Sequence, residues 1–170
     1  EVEISKADWA TLCSQTRSFA DALTKEISKS PFTYFKANVV VDGVRIEEVG
    51  VRKKGFLGSL DANRPSLKID FGEYKKQSPV KGIDRLTLNN NKQDRSLVSQ
   101  YLTYKLFADT GQPAPRCGFA KVTVNGEYLG IYSHVESFKK PMMERVFGNS
   151  SGDLFEGTLA DFFPDRIQKF

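Results

Sequence analysis

Two dipeptides that suit tight β-hairpins constrain the fold of this chain more than any other feature. They are Asp42-Gly43 and Asn125-Gly126. Both favour a type I′ turn, because Asp, Asn and Gly tolerate the positive φ angles that this turn requires. The strand-like runs that flank them are residues 32–41, 44–54, 119–124 and 128–136. The chain is therefore expected to contain two antiparallel hairpins.

Further elements are predicted from apolar spacing. Alternation indicates short strands at residues 66–71 and 85–88, with another at 153–156. Apolar residues spaced three and four apart predict a helix over residues 5–27, capped by Ser5, and another that begins at Asp94 or Ser96 and ends at Gly111. A short helix begins at Pro141. These elements predict an α+β fold, in which helices pack on a mostly antiparallel sheet.

Composition limits the classes of protein to which the chain can belong. Its 170 residues are 39% apolar and 27% charged, which predicts one globular domain over residues 1–170. The net charge of +4 is too small to imply a nucleic-acid partner. No apolar run approaches the roughly 18 residues of a membrane span, and the first residues do not resemble a signal peptide. Cys13 and Cys117 fit no zinc pattern, and both a disulfide and two free thiols remain open.

The basic stretch at residues 50–71 is the strongest candidate for a binding site. Four cations lie on two predicted strands or on the glycine-containing loop between them: Arg52, Lys54, Arg64 and Lys68. Alternation places Arg52, Lys54 and Lys68 on the polar face, and Gly55 lets backbone amides approach an anion closely. Two interpretations are open, a phosphate site with charge-assisted hydrogen bonds and an ordinary solvated sheet face. The loop between the strands is expected to be exposed and mobile.

Other candidate chemistry has simpler explanations. His134 is the single histidine and no HExxH or CxxC motif is present, so a structural histidine is favoured over a catalytic one. The polar residues after the strand predicted at 85–88, Asn89, Asn90, Asn91, Asp94 and Ser96, could bind magnesium through their oxygen atoms. Helix capping explains them more simply.

Several motifs in one order resemble the CotH kinases, a family of secreted or spore-coat proteins with an atypical protein-kinase fold. The segments that carry the resemblance are FTYFKANVVVDG, VGVRKKGFLGSLDANRPSLKIDF, the long run from LTLNNN to VESF, and GDLFEG. Each segment is a weak signal alone, but together they extend from Trp9 to Glu156. The resemblance implies the amino-terminal part of an atypical protein-kinase-like fold.

The resemblance also implies functions for individual residues. It implies ATP-dependent phosphorylation of protein serine or threonine, with ATP and Mg²⁺ as cofactors. Arg52, Lys54 and Gly55 match the R-x-KG element of the family, while Arg64 and Lys68 lie in a strand segment that resembles its KPSLKI. Glu136 closes its NGxxxGxYxxxE hairpin, and would pair with a phosphate-binding cation. Asn91, Asp94 and Ser96 match its N-x-x-D-x-S element.

One departure from the family is expected to matter. CotH kinases continue beyond this point and carry magnesium-binding aspartates there, including a W-D-x-D motif that this chain lacks. The chain is therefore predicted to be an inactive amino-terminal portion of a larger kinase. The apolar residues at 158–170 predict a surface that packs against a second copy. An alternative from another class is a non-catalytic coat-assembly or adhesive module that binds protein or polysaccharide. Secretion or a spore-coat location is expected from the resemblance alone.

Overall fold

The computed structural model describes residues 1–18, 20, 30–80 and 83–154. The strands in these residues are β1 (Val2–Ile4), β2 (Phe35–Val41), β3 (Val44–Lys54), β4 (Ser66–Asp70), β5 (Arg85–Asn89), β6 (Cys117–Val124) and β7 (Glu127–Val135). The helices are α1 (Lys6–Ser14), α2 (Ser99–Asp109) and α3 (Lys140–Phe147). The second half of the helix predicted at 5–27, the end of the strand predicted at 153–156 and the apolar tail at 158–170 lie outside the described residues.

The strands close into a barrel in the order β1-β2-β3-β4-β5-β7-β6. Every pairing is antiparallel except that between β1 and β6. β1 closes the barrel, because Val2 pairs with Val39 of β2 on one side and with Val124 of β6 on the other. A closed barrel leaves no free sheet edge, and its apolar side chains meet in the interior.

The barrel contradicts the predicted α+β fold with helices packed on a sheet, and with it the expected kinase-like architecture. Helices are needed where an open sheet has an apolar face to cover, whereas a closed barrel buries that face inside itself. α2 illustrates the difference, since none of its residues is buried. It touches the outside of the barrel through Tyr101, whose ring lies 5.3 Å from that of Phe119 on β6.

Both predicted hairpins are confirmed. Asp42 and Gly43 have φ angles of 47° and 84°, and Asn125 and Gly126 have 49° and 84°. These positive values belong to type I′ turns, whose twist matches that of the flanking strands. The predicted strand at 44–54 coincides with β3.

A side-chain cap marks the start of α1, whereas the N-cap residues of α2 and α3, Val98 and Lys139, make no side-chain capping hydrogen bond. The Ser5 hydroxyl accepts a hydrogen bond from the Asp8 N–H at 3.0 Å, as predicted, but α1 ends at Ser14 because Gln15 is extended. α2 begins at Ser99, later than predicted, and the Asp94 carboxylate accepts the Ser99 N–H at 2.8 Å. In α3 the predicted Pro141 occupies the first turn.

Among the residues that the structure describes, the barrel core is apolar with one charged exception. Val49, Val51 and Leu67 are fully buried, as is Leu12 of α1, which packs on the same core. Lys53 is only 3% exposed, and its Nζ donates to the backbone carbonyl of Cys13 at 2.6 Å. Burial lowers the pKa of Lys53, since the interior disfavours an ammonium ion. This contact ties the end of β3 to α1.

Candidate functional site

The outer surface of β3 and β4 brings three of the predicted cations together. Arg52 lies directly opposite Lys68 in the antiparallel pairing, and Lys54 lies two residues further along β3, opposite Ser66. Directly paired residues project from the same face of a sheet, and so do residues two apart on one strand. Arg52, Lys54 and Lys68, called here the basic cluster, therefore share the face opposite the core, as predicted.

Lys54 is the most perturbed member of the basic cluster. Its Nζ donates a hydrogen bond to the Asn89 side-chain carbonyl on β5, and the Asn89 amide donates in turn to Gln100 of α2 at 2.8 Å. Burial, with the charges of Lys68 and Arg52, lowers the pKa of Lys54 to about 8. Its single hydrogen-bond acceptor in the described residues is a neutral amide. The ammonium ion consequently lacks a compensating negative charge there.

Arg52 and Lys68, the other two members of the basic cluster, also lack an ion pair with a carboxylate in the described residues. Arg52 donates from Nη1 to the Ser30 hydroxyl at 3.2 Å, and its guanidinium lies 5.3 Å from the centre of the Tyr34 ring. Burial and the positive charges of Arg52, Arg85 and Lys139 lower the pKa of Lys68, and the negative charge of Asp70 opposes them only in part. Within residues 1–18, 20, 30–80 and 83–154, no member of the cluster forms an ion pair with a carboxylate. Three cations that repel one another without such a partner favour a bound anion.

The loop at 55–65 is fastened to the turn that follows β5. Asn90 is 1% exposed, and its amide donates to the backbone carbonyls of Ser59 at 3.0 Å and Arg64 at 2.8 Å. Lys92 donates to the carbonyl of Leu60 at 2.9 Å. The loop predicted to be mobile is thus held by side chains from the polar run after β5.

A cleft of about 290 Å³ lies between this loop and the polar run, next to the basic cluster. Lys54 and Gly55 both line it, together with Asn89, Asn91 and Asp94. The predicted site residues Lys54 and Gly55 therefore face one common space.

Arg64 lies apart from the basic cluster and fastens the loop to β7. Its Nε donates to the Leu129 carbonyl at 2.8 Å, its Nη2 donates to the Ile131 carbonyl, and its guanidinium lies 4.8 Å from the centre of the Tyr132 ring. Gly130, between the two carbonyls, has a φ of 110° that favours glycine. These contacts give Arg64 a structural part in positioning the loop.

Glu136 also lies apart from the basic cluster. Its carboxylate accepts hydrogen bonds from the Arg145 guanidinium of α3 and, at 2.9 Å, from the Arg116 backbone N–H. Burial raises the pKa of Glu136, but the hydrogen bonds from Arg145 and Arg116 and their charges outweigh it, and the pKa is lowered overall. In the described residues Glu136 thus pairs with Arg145 rather than with Arg52, Lys54 or Lys68.

The polar run after β5 is occupied by structural hydrogen bonds. Asp94 accepts from the Ser96 hydroxyl at 2.6 Å and from the Ser99 N–H, which also lowers its pKa. Asn91 donates to the Ser133 hydroxyl at 2.9 Å. The capping interpretation is met only in part, because Asp94 accepts a backbone N–H of the first turn of α2 while the N-cap position is Val98, which makes no side-chain capping hydrogen bond. No group of three or more His, Cys, Asp or Glu side chains in the described part of the chain could hold a metal ion.

The single histidine and the two cysteines of the chain are partly buried. His134 is half-buried, and burial lowers the pKa of its imidazole. Cys13 and Cys117 are free thiols, and burial raises the pKa of both.

Sequence reasoning missed two residues that act on the basic cluster, one through a hydrogen bond and one through its positive charge. Asn89, which accepts the hydrogen bond from Lys54, lies one residue beyond the strand predicted at 85–88. Extending the alternation of that strand by one residue would have placed Asn89 on the polar face. Lys139, whose positive charge acts on Lys68, lies in a loop far away in sequence. No local pattern could have identified it.

These features define a small β-barrel module with a cluster of three cations on its outer wall. The model of the family described as CotH kinase protein matches residues 51–168, which is more than half of the chain. The chain belongs to this family.

A comparison with curated proteins is consistent with that membership. The chain is 31% identical over 81 residues to the "Inner spore coat protein H-like protein" of Bacillus subtilis (strain 168). The match covers 48% of this chain and 26% of that relative, so the chain spans about a quarter of the relative's length. Among the described helices, none has the length and apolar character needed to cross a membrane.

Proposed function

We propose that this chain supplies the phosphate-binding part of a CotH-type protein kinase, in which Arg52, Lys54 and Lys68 bind the phosphates of ATP. The observation that carries the proposal is the basic cluster, three cations without a carboxylate partner in the described residues. The negative charge of a triphosphate would balance the positive charges of these three side chains. Family membership supports the same ligand, because kinases of this family would use ATP as phosphate donor.

The geometry assigns each cation a distinct part in the proposal. The planar guanidinium of Arg52 suits two parallel hydrogen bonds to one phosphate, and Tyr34 beneath it limits its movement. Lys54 and Lys68 act as point charges, with Lys54 oriented by Asn89. Gly55, at the end of β3, lets a phosphate approach the backbone closely.

The described residues contain no group of three or more His, Cys, Asp or Glu side chains that could hold a metal ion. We therefore assign no metal ligand and no catalytic base to this part of the protein. The whole protein is proposed to transfer phosphate to serine or threonine of a protein acceptor, with the metal held by other residues. This chain alone is proposed to bind ATP without turning it over.

Substitutions in the whole protein test the kinase proposal. Arg52→Ala and Lys68→Ala should each lower the rate of phosphate transfer from ATP to protein by about 100-fold or more, because each removes a charge from the transferred group's surroundings. Lys76→Ala, at an exposed lysine, is the matched control and should leave the rate unchanged. Undiminished transfer in both cluster variants would refute the assignment.

A second candidate function is a non-catalytic module for coat assembly. It is favoured by the name of the relative, an inner spore coat protein H-like protein, and by the exposed apolar side chains of α2, namely Leu102, Leu106 and Phe107. Under this candidate the chain would bind a coat protein or a polysaccharide and would be located in the spore coat. Secretion stays a prediction.

The two candidates respond differently to substitution. A coat-assembly module would lose its location in a spore-forming host when Leu102→Asp and Leu106→Asp are combined, and would keep it in Lys68→Ala. In the phosphate-transfer assay, a kinase would lose activity in Lys68→Ala and would keep it when Leu102→Asp and Leu106→Asp are combined.

A further inference from the structure

Arg52 has an aromatic neighbour that the strand register places beside it. Phe35 of β2 pairs with Val51 of β3. Tyr34, one residue earlier, therefore lies level with Arg52 on the outer wall of the barrel. The central carbon of the Arg52 guanidinium is 5.3 Å from the centre of the Tyr34 ring. A guanidinium at this distance is attracted by the face of the ring, and stacking restricts the orientations that it samples.

A glycine on β3 makes the space in which the Tyr34 ring lies. Gly50 is buried, and it lies two residues before Arg52 on the same face of the strand. A Cβ atom built on Gly50 would be 2.9 Å from Cδ1 of Tyr34 and 2.6 Å from Cβ of Glu73. Both distances are shorter than carbon atoms approach, so another residue at this position would displace both side chains. The φ angle of Gly50 is not among the positive ones, so the backbone itself tolerates alanine.

The main chain at Tyr34 is fastened as well. The Tyr74 hydroxyl donates to the Tyr34 carbonyl at 2.8 Å, and the centre of the Tyr74 ring lies 5.7 Å from Lys36 Nζ. Tyr74 belongs to the loop after β4, which also carries Glu73. This loop and the space at Gly50 together determine where the ring beneath Arg52 lies.

One edge of the Arg52 guanidinium is free in the part of the chain that the structure describes. Nη1 donates to the Ser30 hydroxyl at 3.2 Å and to the Lys53 carbonyl at 3.4 Å. Nε and Nη2, which lie along one edge of the plane, have no hydrogen-bond acceptor among the described residues. Two N–H groups on one edge match two oxygen atoms of a phosphate. The stacked orientation therefore leaves this edge available to an anion.

We propose that Tyr34, lying in the space at Gly50, is the positioning residue that holds Arg52 with its Nε and Nη2 edge directed to a phosphate. This inference rests on the proposed function, and adds an uncharged residue that acts only through Arg52. A side chain that is already ordered loses less conformational entropy when it binds a ligand. Tyr34 consequently raises the affinity for phosphate without contacting it.

Calorimetric titration of the 170-residue chain with tripolyphosphate at pH 7 tests the inference. Tyr34→Leu should weaken binding about three- to tenfold, because ordering a long side chain on binding costs about that factor. Tyr34→Phe keeps the ring and should bind like wild type. Gly50→Ala keeps every charge and the ring itself, and should weaken binding to a similar extent as Tyr34→Leu. Tyr128→Leu is the matched control and should bind like wild type, because the Tyr128 ring lies 5.3 Å from Lys121 Nζ, outside the basic cluster.

A double-mutant cycle separates positioning of Arg52 from a merely structural effect. In Arg52→Ala the remaining affinity comes from Lys54 and Lys68, so Tyr34→Leu should cause no further loss in that background. Low ionic strength keeps this weaker binding measurable. Nuclear magnetic resonance of the Arg52 Nε–H group in the free chain supplies a second readout. Its chemical shift should change in Tyr34→Leu and stay the same in Tyr128→Leu.

Each outcome of these measurements has a distinct meaning. Equal tripolyphosphate binding by wild type and Tyr34→Leu overturns the inference while the phosphate site stands. A loss that persists in the Arg52→Ala background overturns it too, because Tyr34 would then act on something other than Arg52. If tripolyphosphate does not bind to the wild type, the proposed function fails and the inference fails with it. Far-UV circular dichroism verifies that each variant is folded, and if Gly50→Ala is not, Tyr34→Leu alone decides.

Discussion

Replacing Lys54 by methionine should stabilise the free chain while it removes a phosphate ligand. The side chains have similar length, but methionine carries no charge to be buried beside Lys68 and Arg52. A folded-state pKa of about 8, against 10.5 for an unperturbed lysine, means that the fold disfavours the ammonium form. Under the proposed function, Lys54 is a residue at which stability is given up for phosphate binding.

The expected magnitude follows from the pKa difference. A shift from 10.5 to about 8 corresponds to roughly 3 kcal/mol at neutral pH, and partial exposure of the side chain to solvent reduces this to about 2 kcal/mol. The lost hydrogen bond to Asn89 costs about 1 kcal/mol. Lys54→Met should therefore raise the free energy of unfolding by about 1 kcal/mol at pH 7.

The pH dependence gives the sharper test. Above about pH 8 the folded chain releases the Lys54 proton, whereas the unfolded chain holds it until about 10.5. The wild type should gain stability over this interval, so that the advantage of Lys54→Met shrinks and, because the lost hydrogen bond to Asn89 still costs about 1 kcal/mol, reverses near pH 10. Urea denaturation from pH 6 to 10, followed by far-UV circular dichroism, measures this.

Lys76→Met, at an exposed lysine, is the control for the denaturation series and should follow the wild type within about 0.5 kcal/mol at every pH. A Lys54→Met variant that is less stable than wild type at pH 7, or whose advantage does not change with pH, would refute the reasoning. The same variant should bind tripolyphosphate more weakly than wild type at pH 7.

Three further substitutions test the supports around the site. Gly130→Ala should destabilise the chain by about 2 kcal/mol, because its φ of 110° disfavours a side chain and Arg64 lies 3.2 Å from the new Cβ; a loss below 0.5 kcal/mol would contradict this. Asn90→Ala should cost about 2–3 kcal/mol in urea denaturation, since two buried hydrogen bonds to the loop are lost; an unchanged midpoint would contradict that. Glu136→Gln should be less stable than wild type above about pH 4.5, with the difference vanishing as acid protonates Glu136 and weakens its pairing with Arg145. Equal acid denaturation curves would show that this pair contributes nothing.

Local features of the fold were predictable from the sequence because their causes are local. Asp42-Gly43 and Asn125-Gly126 specify their turns through the φ angles these residues tolerate, and the alternation after Val49 placed Arg52 and Lys54 on the outer face. Closure was not predictable. It depends on Val2, in a strand of three residues, pairing with strands that lie far along the chain.

The candidate site, too, was predictable where its causes are local and unpredictable where they depend on tertiary contacts. The three members of the basic cluster follow from strand alternation and from the direct pairing of β3 with β4. Arg64 and Glu136 were predicted to belong to the same site, yet Arg64 donates to the backbone of β7 and Glu136 pairs with Arg145 of α3. A charge pattern along a sequence identifies candidates, whereas the direction of a side chain in a loop depends on tertiary contacts.

The central claim is that Arg52, Lys54 and Lys68 form one anion site, and nuclear magnetic resonance tests it most directly. Tripolyphosphate is titrated into the isotope-labelled 170-residue chain at pH 7, and the backbone amide shifts are followed. Saturable shifts concentrated at residues 52–55 and 66–70, and abolished in Lys68→Ala, are the result this account predicts. The absence of saturable shifts, or shifts concentrated on another surface of the barrel, would contradict it.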